Sequence, residues 1–341
     1  FKVGRLKVDR DMLLAANFHY LRSNFETPYP SIFGLTPEQF EHQIDVIGKE
    51  FNYVSAADIK AAALGERVLP NRACCLTFDD GLREQYEIGW DILQRKGIPA
   101  IFYINTGPIV EEKLAIVHKI HILRSLISLQ DIMETLRSFI TKYEIKIPQN
   151  ISKKAAEQYK YDTIDIAEMK IILNFLLTYE QQEVFADECF NKLDLNDREI
   201  AKSLYMTVDM IRHLDSVDCI GSHAHNHVPL STLSDDSKIK QEIQKSLDIF
   251  RQWGLQNVNS ISYPYGGPDA CSLQVGKISK ELGLSFLFTM ERAVNTNLNH
   301  SMFLSRYSNS DLPGGGKVPD YKIDSLIDNL SIATLFDGKL I

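Results

Sequence analysis

Three stretches follow one another along the chain, told apart by the period of their apolar positions. In the first, a short apolar run from Met12 to His19, closing on Asn17, Phe18, His19 and Tyr20, predicts a strand. A loop follows at Tyr29, Pro30 and Gly34. Thr36 then predicts a helix N-cap, with Pro37 in the first helical position and Gln39 three residues after the cap. Phe40, Ile44 and Ile47 continue at helical spacing. Tyr53 and Val54 read as a strand and Ala56 to Leu64 as a helix. Residues 73–78 (Ala, Cys, Cys, Leu, Thr, Phe) read as a buried strand running directly into Asp79, Asp80 and Gly81. A helix from Tyr86 to Arg95 and a second buried strand from Ala100 to Ile104 follow, ending at Asn105, Thr106 and Gly107. Strand, helix and strand with short connections predict a right-handed parallel crossover.

From 108 to 205 the pattern becomes helical and strand-poor. Leu123, Ile127, Ile132, Leu136 and Ile140 recur at helical spacings, Pro148 interrupts, and a later helix holds Ile171 to Leu173 and Phe175 to Leu177. This reads as a helical insertion, 108–205, inside an α/β core made of 1–107 and 206–341. The core resumes with a helix from Thr207 to Leu214, Cys219 to Gly221, and a helix from Ser237 to Trp253. The strand Ser260 to Tyr263, the helix Leu273 to Leu282, the strand Phe286 to Thr289 and a closing segment at Gly314 to Gly316 complete it. No repeat of solenoid period is visible.

Composition narrows the classes. The chain has 341 residues, 44% of them apolar, which suffices for a well-filled core. At 24% charged and 10% aromatic it is neither disordered nor low-complexity. With 37 basic against 45 acidic residues the net charge is −8, and no Lys/Arg stripe attracts nucleic acid. No apolar run is long enough for a transmembrane span. The 5 cysteines lack metal-type spacing and read as small buried hydrophobes in a reducing compartment. With no leader pattern at the start, the expectation is a cytoplasmic protein.

Three clusters carry chemistry. Asp79 and Asp80 at a strand end repel each other unless a cation or a shared proton compensates, and Gly81 permits a sharp turn after them. Taken alone, this is also an ordinary solvated turn. His223 and His227, four positions apart beside Gly221 and Ser222, would share a face on a helical turn, with His225 pointing elsewhere. Two imidazoles plus one carboxylate from elsewhere make a three-ligand site with positions open for water or substrate. Ser262 to Gly267 holds two aromatic rings, Tyr263 and Tyr265, with Pro264 and Gly266 stiffening and turning the chain. Apolar walls with a hydroxyl suit the flat face and acyl methyl of a sugar.

The order of these motifs resembles the polysaccharide deacetylases, the NodB-homology group or carbohydrate esterase family 4. The resemblance covers 12–107 and about 205–310, through the strand into Thr77-Phe78-Asp79-Asp80-Gly81, the Gly221-Ser222-His223 and His227 pair, and Tyr263-Pro264-Tyr265-Gly266 of one subgroup. The lead-in strand with His19, the Thr36-Pro37-Glu38-Gln39 helix start and Ile98-Pro99-Ala100 are similar as well. The resemblance implies a distorted (β/α)7-type barrel with the active site at the C-terminal ends of its strands. It implies that Asp80, His223 and His227 hold one divalent metal ion, most often zinc, and that Asp79 is the base. Such a metal lowers the pKa of bound water from 15.7 to about 7 and polarises the acyl carbonyl. The oxyanion would be stabilised in part by a backbone N–H near Tyr265.

Two departures matter. Many members carry an Arg before Pro-Tyr-Gly, where this chain has Ser262 and Tyr263; Arg306, in a Leu-x-Arg segment, is the candidate to orient Asp79 instead. The family's late His, its general acid, has two candidates here, His300 and His19. In the insertion, His118 and His121 are three apart on a helix and are candidate substrate contacts over the barrel mouth. The resulting expectation is a metal-dependent N-deacetylase. Its substrate is an N-acetylated amino sugar in a bacterial surface glycan, such as lipopolysaccharide or capsule, or a precursor of one. Two alternatives stay open: a glycan-binding protein with impaired catalysis, and a hydrolase of a non-sugar amide or cyclic imide.

Overall fold

The structure, a computed structural model, describes residues 12–315 apart from 27, 30, 31, 33, 160, 161, 234 and 297. Pro30 and Gly316 of the expected loops lie outside the described residues. The strands are β1 (Leu13–Phe18), β2 (Asn52–Tyr53), β3 (Ala73–Phe78), β4 (Ala100–Ile104), β5 (Ile220–Ser222), β6 (Ser260–Ser262), β7 (Phe286–Phe288) and β8 (Tyr307–Ser308). They form one 8-stranded sheet in the order β7-β6-β5-β4-β3-β1-β8, with β2 also on β3. Every one of these pairings is parallel. The strands are so apolar because a parallel sheet is covered on both faces.

Residues 304–308 bring the two ends of the sheet together. Leu304 bridges to Phe288, and Tyr307 and Ser308 pair with Ala16 and Asn17. The result is a distorted barrel whose interior is filled rather than hollow. Leu13, Ala15, Cys75, Ile101, Tyr103 and Phe288 interlock inside it. The alternate positions Leu14, Ala16, Cys74, Leu76 and Phe102 face the outer helices. Adjacent Cys74 and Cys75 thus serve opposite faces, as the two-residue period of a strand requires.

The helices of the first part are α1 (Pro37–Gly48), α2 (Ala56–Ala63) and α3 (Asp91–Lys96). The capping box of α1 forms as its sequence predicts: Thr36 Oγ1 accepts from Gln39 N, and Gln39 Oε1 accepts from Thr36 N. The helix expected from Tyr86 winds as a π-helix over Gln85–Trp90 before α3 continues it.

Between β4 and β5 lie α4 (Thr106–Val110), α5 (Ile116–Leu126), α6 (Leu129–Lys142), α7 (Ile151–Gln158), α8 (Ile164–Ile171), α9 (Tyr179–Lys192), α10 (Asp197–Leu204) and α11 (Val208–Asp215). Leu123, Ile132, Leu136, Leu173 and Phe185 build a second core there, which Tyr20 and Leu82 from the barrel side also enter. After β5 come α12 (Asp236–Gln252) and α13 (Leu273–Glu281). No helix among the described residues is long and apolar enough to cross a membrane.

Candidate active site and metal centre

Parallel strands bring their C-terminal ends to one side, and the chemistry collects there. Asp79 and Asp80 leave β3, His223 leaves β5, Tyr263 and Tyr265 follow β6, and His19 follows β1. With Met290 and Arg292 beyond β7, they line a cavity of about 640 Å³. Its outer wall comes from the helical segment, through Val117, His121, Lys154, Glu157, Gln158 and Tyr159.

Asp79 is 3% exposed and Arg306 is fully buried beside it. Arg306 Nη1 donates to Asp79 Oδ1 at 2.9 Å and Nη2 to Oδ2 at 2.8 Å, a two-pronged fork. Burial alone would raise the Asp79 pKa, but the guanidinium charge outweighs it, and with His223 and His19 holds the carboxyl at about 2. Arg306 arrives from the closing segment and fills the space left by the short Ser262, whose Oγ accepts from Nη2 at 2.8 Å. Asn17 and Thr77 complete the cage. Asn17 Nδ2 donates to Asp79 Oδ2 at 3.0 Å, and Arg306 Nη1 reaches Asn17 Oδ1 at 3.0 Å and Thr77 Oγ1 at 3.1 Å.

Asp80 faces a different set of partners. Its Oδ1 is buried and accepts no hydrogen bond, yet lies 3.3 Å from His227 Nε2 and 3.6 Å from His223 Nε2. One ligand atom from each of the three residues can be chosen so that all lie within 4.8 Å of one another. His223 Nδ1 sits 2.8 Å from the Ser262 carbonyl, so its proton is there and Nε2 offers a bare lone pair. Burial pushes the His223 ring down to about 4, which keeps that lone pair open. Asp80, although burial opposes ionisation, is held well below the ordinary range by His118 and His227. A buried carboxylate oxygen without a donor, facing two ring nitrogens, fits a divalent cation of the N/O-ligated kind.

The histidine spacing predicted a shared helical face, and here the structure corrects the sequence reading. Residues 223–227 form a loop rather than a helical turn. The two rings meet, centroids 5.0 Å apart, because Ala224 and His227 take left-handed backbone at φ 60° and 58°. His225 turns away, its Nδ1 at 2.9 Å from Thr106 Oγ1.

The other predicted residues divide. Tyr265 is at the wall, its ring edge-on to His227 at 4.8 Å. His19 and His121 line the cavity, His121 with Nδ1 at 3.0 Å from the Tyr20 hydroxyl. Tyr263 lines it from a fully buried position, with its hydroxyl on the Met302 carbonyl. Pro264 and Gly266 shape the turn without lining the cavity. A side chain at Gly266 would meet Met290 N at 2.7 Å. His118 is not at the mouth; it is buried against Asp80. His300 is exposed and does not line the cavity. Sequence reasoning passed over Asn17 and Thr77. Their signal was a polar side chain within an apolar strand.

Comparison with known proteins agrees with this geometry. The family model described as polysaccharide deacetylase matches residues 198–287. The deacetylase PplD from Streptococcus pyogenes, solved in complex with acetate, superposes with a TM-score of 0.56 at 13% identity, covering 94% of this chain and 99% of that one. IcaB from Ammonifex degensii gives 0.54 at 13% identity, over 88% and 92%. The deacetylase domain of BpsB from Bordetella bronchiseptica gives 0.50 at 15%, over 88% and 97%. No curated protein matches the chain. The family match spans the histidine loop and the Tyr263 turn, and the chain shares its barrel fold with these solved structures.

Proposed function

We propose that the protein removes the acetyl group from an N-acetylated amino sugar of a bacterial surface glycan or its precursor, using one divalent metal ion, zinc first among the candidates. The observation that carries this reading is the unequal treatment of neighbouring aspartates. Asp79 is held on both oxygens by Arg306, while Asp80 keeps one oxygen free toward two ring nitrogens. A cation held by Asp80, His223 and His227 supplies a lowered pKa for water and polarisation of the acyl oxygen.

The chain's own residues do the rest. Asp79, ionised at any physiological pH, accepts the proton of the attacking water. Arg306 and Asn17 hold its carboxylate plane in one orientation. His19, at the cavity wall, is our candidate to return a proton to the leaving amine. The Tyr265 N–H is the candidate donor to the oxyanion. Apolar surface on Tyr265, Met290 and Val117 suits the acyl methyl and ring face, and the polar Lys154, Glu157 and Gln158 suit sugar hydroxyls. We read 108–205 as an insertion that supplies this outer wall. All five cysteines are free and buried, which supports a reducing, cytoplasmic setting.

The test combines elemental analysis with acetate release from N-acetylated sugars, nucleotide sugars and oligosaccharides. Asp79→Asn should retain the metal and lose at least ~10²-fold in turnover, the scale of general-base catalysis. His223→Ala should lose the metal. Undiminished turnover in the first, or unchanged metal content in the second, would overturn the assignment. Glycan binding without acetate release from any of the panel would favour the binding-protein alternative.

A further inference from the structure

His118 has no part in the scheme above, yet it lies directly against Asp80. It sits on α5, in the helical segment, and is fully buried. Both ring nitrogens are engaged: Nε2 lies 3.3 Å from Asp80 Oδ2, and Nδ1 lies 2.5 Å from the Tyr205 hydroxyl. The Tyr205 oxygen in turn accepts from the Ala115 backbone N–H at 3.0 Å.

These contacts assign the protons. The Tyr205 hydroxyl has one hydrogen to give, and His118 Nδ1 is its acceptor. The ring then carries its own proton on Nε2 and donates it to Asp80 Oδ2. One Asp80 oxygen is therefore capped from the helical segment. The other accepts nothing and stands between the Nε2 atoms of His223 and His227. An uncapped carboxylate could turn either oxygen, or both, toward a cation. A carboxylate capped by an immobile ring presents one oxygen in one direction.

The ring is immobile because it is enclosed. Tyr20, His121 and Tyr205 surround it with centroids 6.1, 6.1 and 5.4 Å away. Tyr205 is tied in backbone to the turn that carries Asp80: it bridges to Leu82, and Met206 N donates to the Gly81 carbonyl at 2.9 Å.

We propose that His118, backed by Tyr205, is a positioning residue of the metal centre, so that the helical segment completes a site whose ligands all come from the barrel. This rests on the metal-site reading given above.

The test is binding of Zn²⁺ and Co²⁺ to chelator-stripped full-length protein, by competition with a chromophoric chelator, with the Co²⁺ visible absorption as a report on ligand geometry. His118→Leu should bind about 10–100-fold more weakly, the usual effect of losing such an outer hydrogen bond, with an altered Co²⁺ spectrum. His118→Gln, whose amide N–H can still cap Oδ2, should recover most of the loss. Tyr205→Phe should fall between His118→Leu and wild type, because the ring keeps its donor but loses its anchor. Wild-type affinity and spectrum in His118→Leu would overturn the proposal, and so would a Gln variant as weak as the Leu variant. If His118→Leu does not fold, Tyr205→Phe decides by the same criterion. His227→Ala separates this from the underlying reading. If that variant loses the metal while His118→Leu does not, only the positioning role fails; if it keeps full affinity, the metal centre itself fails.

Discussion

Asp79 and Arg306 form a buried ion pair, and such a pair is sensitive to losing one member. Removing the guanidinium leaves a buried carboxylate without its paired charge, at a cost of about 3–5 kcal/mol. Arg306→Ala should therefore destabilise by that order in urea unfolding. It should also lower kcat by about a hundredfold, as expected when a reacting group drifts by an ångström, while KM changes by only a few-fold. Wild-type kinetics would remove Arg306 from the orienting role. Glu84 poses the opposite problem, a partly buried acid without a cation partner strong enough to hold it ionised. Burial raises it from the ordinary 4.5 to about 7, even though Leu21 N donates to it at 2.9 Å. A carboxyl raised in the folded state contributes stability below pH 4.5, and that contribution is lost as pH rises through 7. Glu84→Gln should remove this slope. At about 1.4 kcal/mol per pKa unit, discounted for its partial exposure, the variant should gain roughly 2 kcal/mol on wild type between pH 5 and pH 8. Parallel pH profiles of the two proteins in urea unfolding would refute it.

At the scale of elements, the site is assembled from turns rather than helices or strands. Asp80, Ala224, His227 and Tyr265 all have left-handed backbone, with φ of 82°, 60°, 58° and 64°. For residues with a Cβ this costs of order 1–3 kcal/mol each and persists only where the surroundings enforce it. For the histidine loop the enforcing element is α12. Glu242 Oε1 accepts from His225 N at 3.0 Å and also from Asn226 N, while Oε2 accepts from Asn226 Nδ2 at 3.0 Å. From the other side Gly107 N donates to the His225 carbonyl at 2.9 Å, and a Cβ on Gly107 would meet that oxygen at 2.7 Å. Glu242→Ala should leave the buried His225 N–H and the partly buried Asn226 N–H without an acceptor. It should cost about 1–3 kcal/mol in stability and weaken metal binding about tenfold, read by calorimetric titration. Unchanged metal affinity would show that the loop holds its shape without α12.

For the whole molecule, the parallel barrel decides where chemistry can happen, and the helical segment decides how enclosed it is. The strands, the first helices and their caps were legible because they depend on local properties: apolar runs of strand length, Thr36 and Gln39 at box spacing, and a two-residue period separating Cys74 from Cys75. The Asp79–Asp80 pair and the two histidines were legible as motifs, since the residue types and their order survive in one dimension. Arg306 could be picked out only through resemblance. That it reaches Asp79 depends on residues 304–308 joining β7 to β1, a contact across more than two hundred positions. Asn17 and Thr77 were overlooked because a lone polar residue in an apolar strand says nothing of what faces it. His118 was expected at the mouth and lies behind Asp80, because a helix's spacing fixes which side chains share a face but not what that face is pressed against. The sequence alone determined the residue types, the local elements and the family resemblance, all set by interactions within a few positions of each other. Only the tertiary structure decided which Asp80 oxygen is free, which cation holds Asp79 and which histidine is outside, because those depend on distances between groups far apart along the chain.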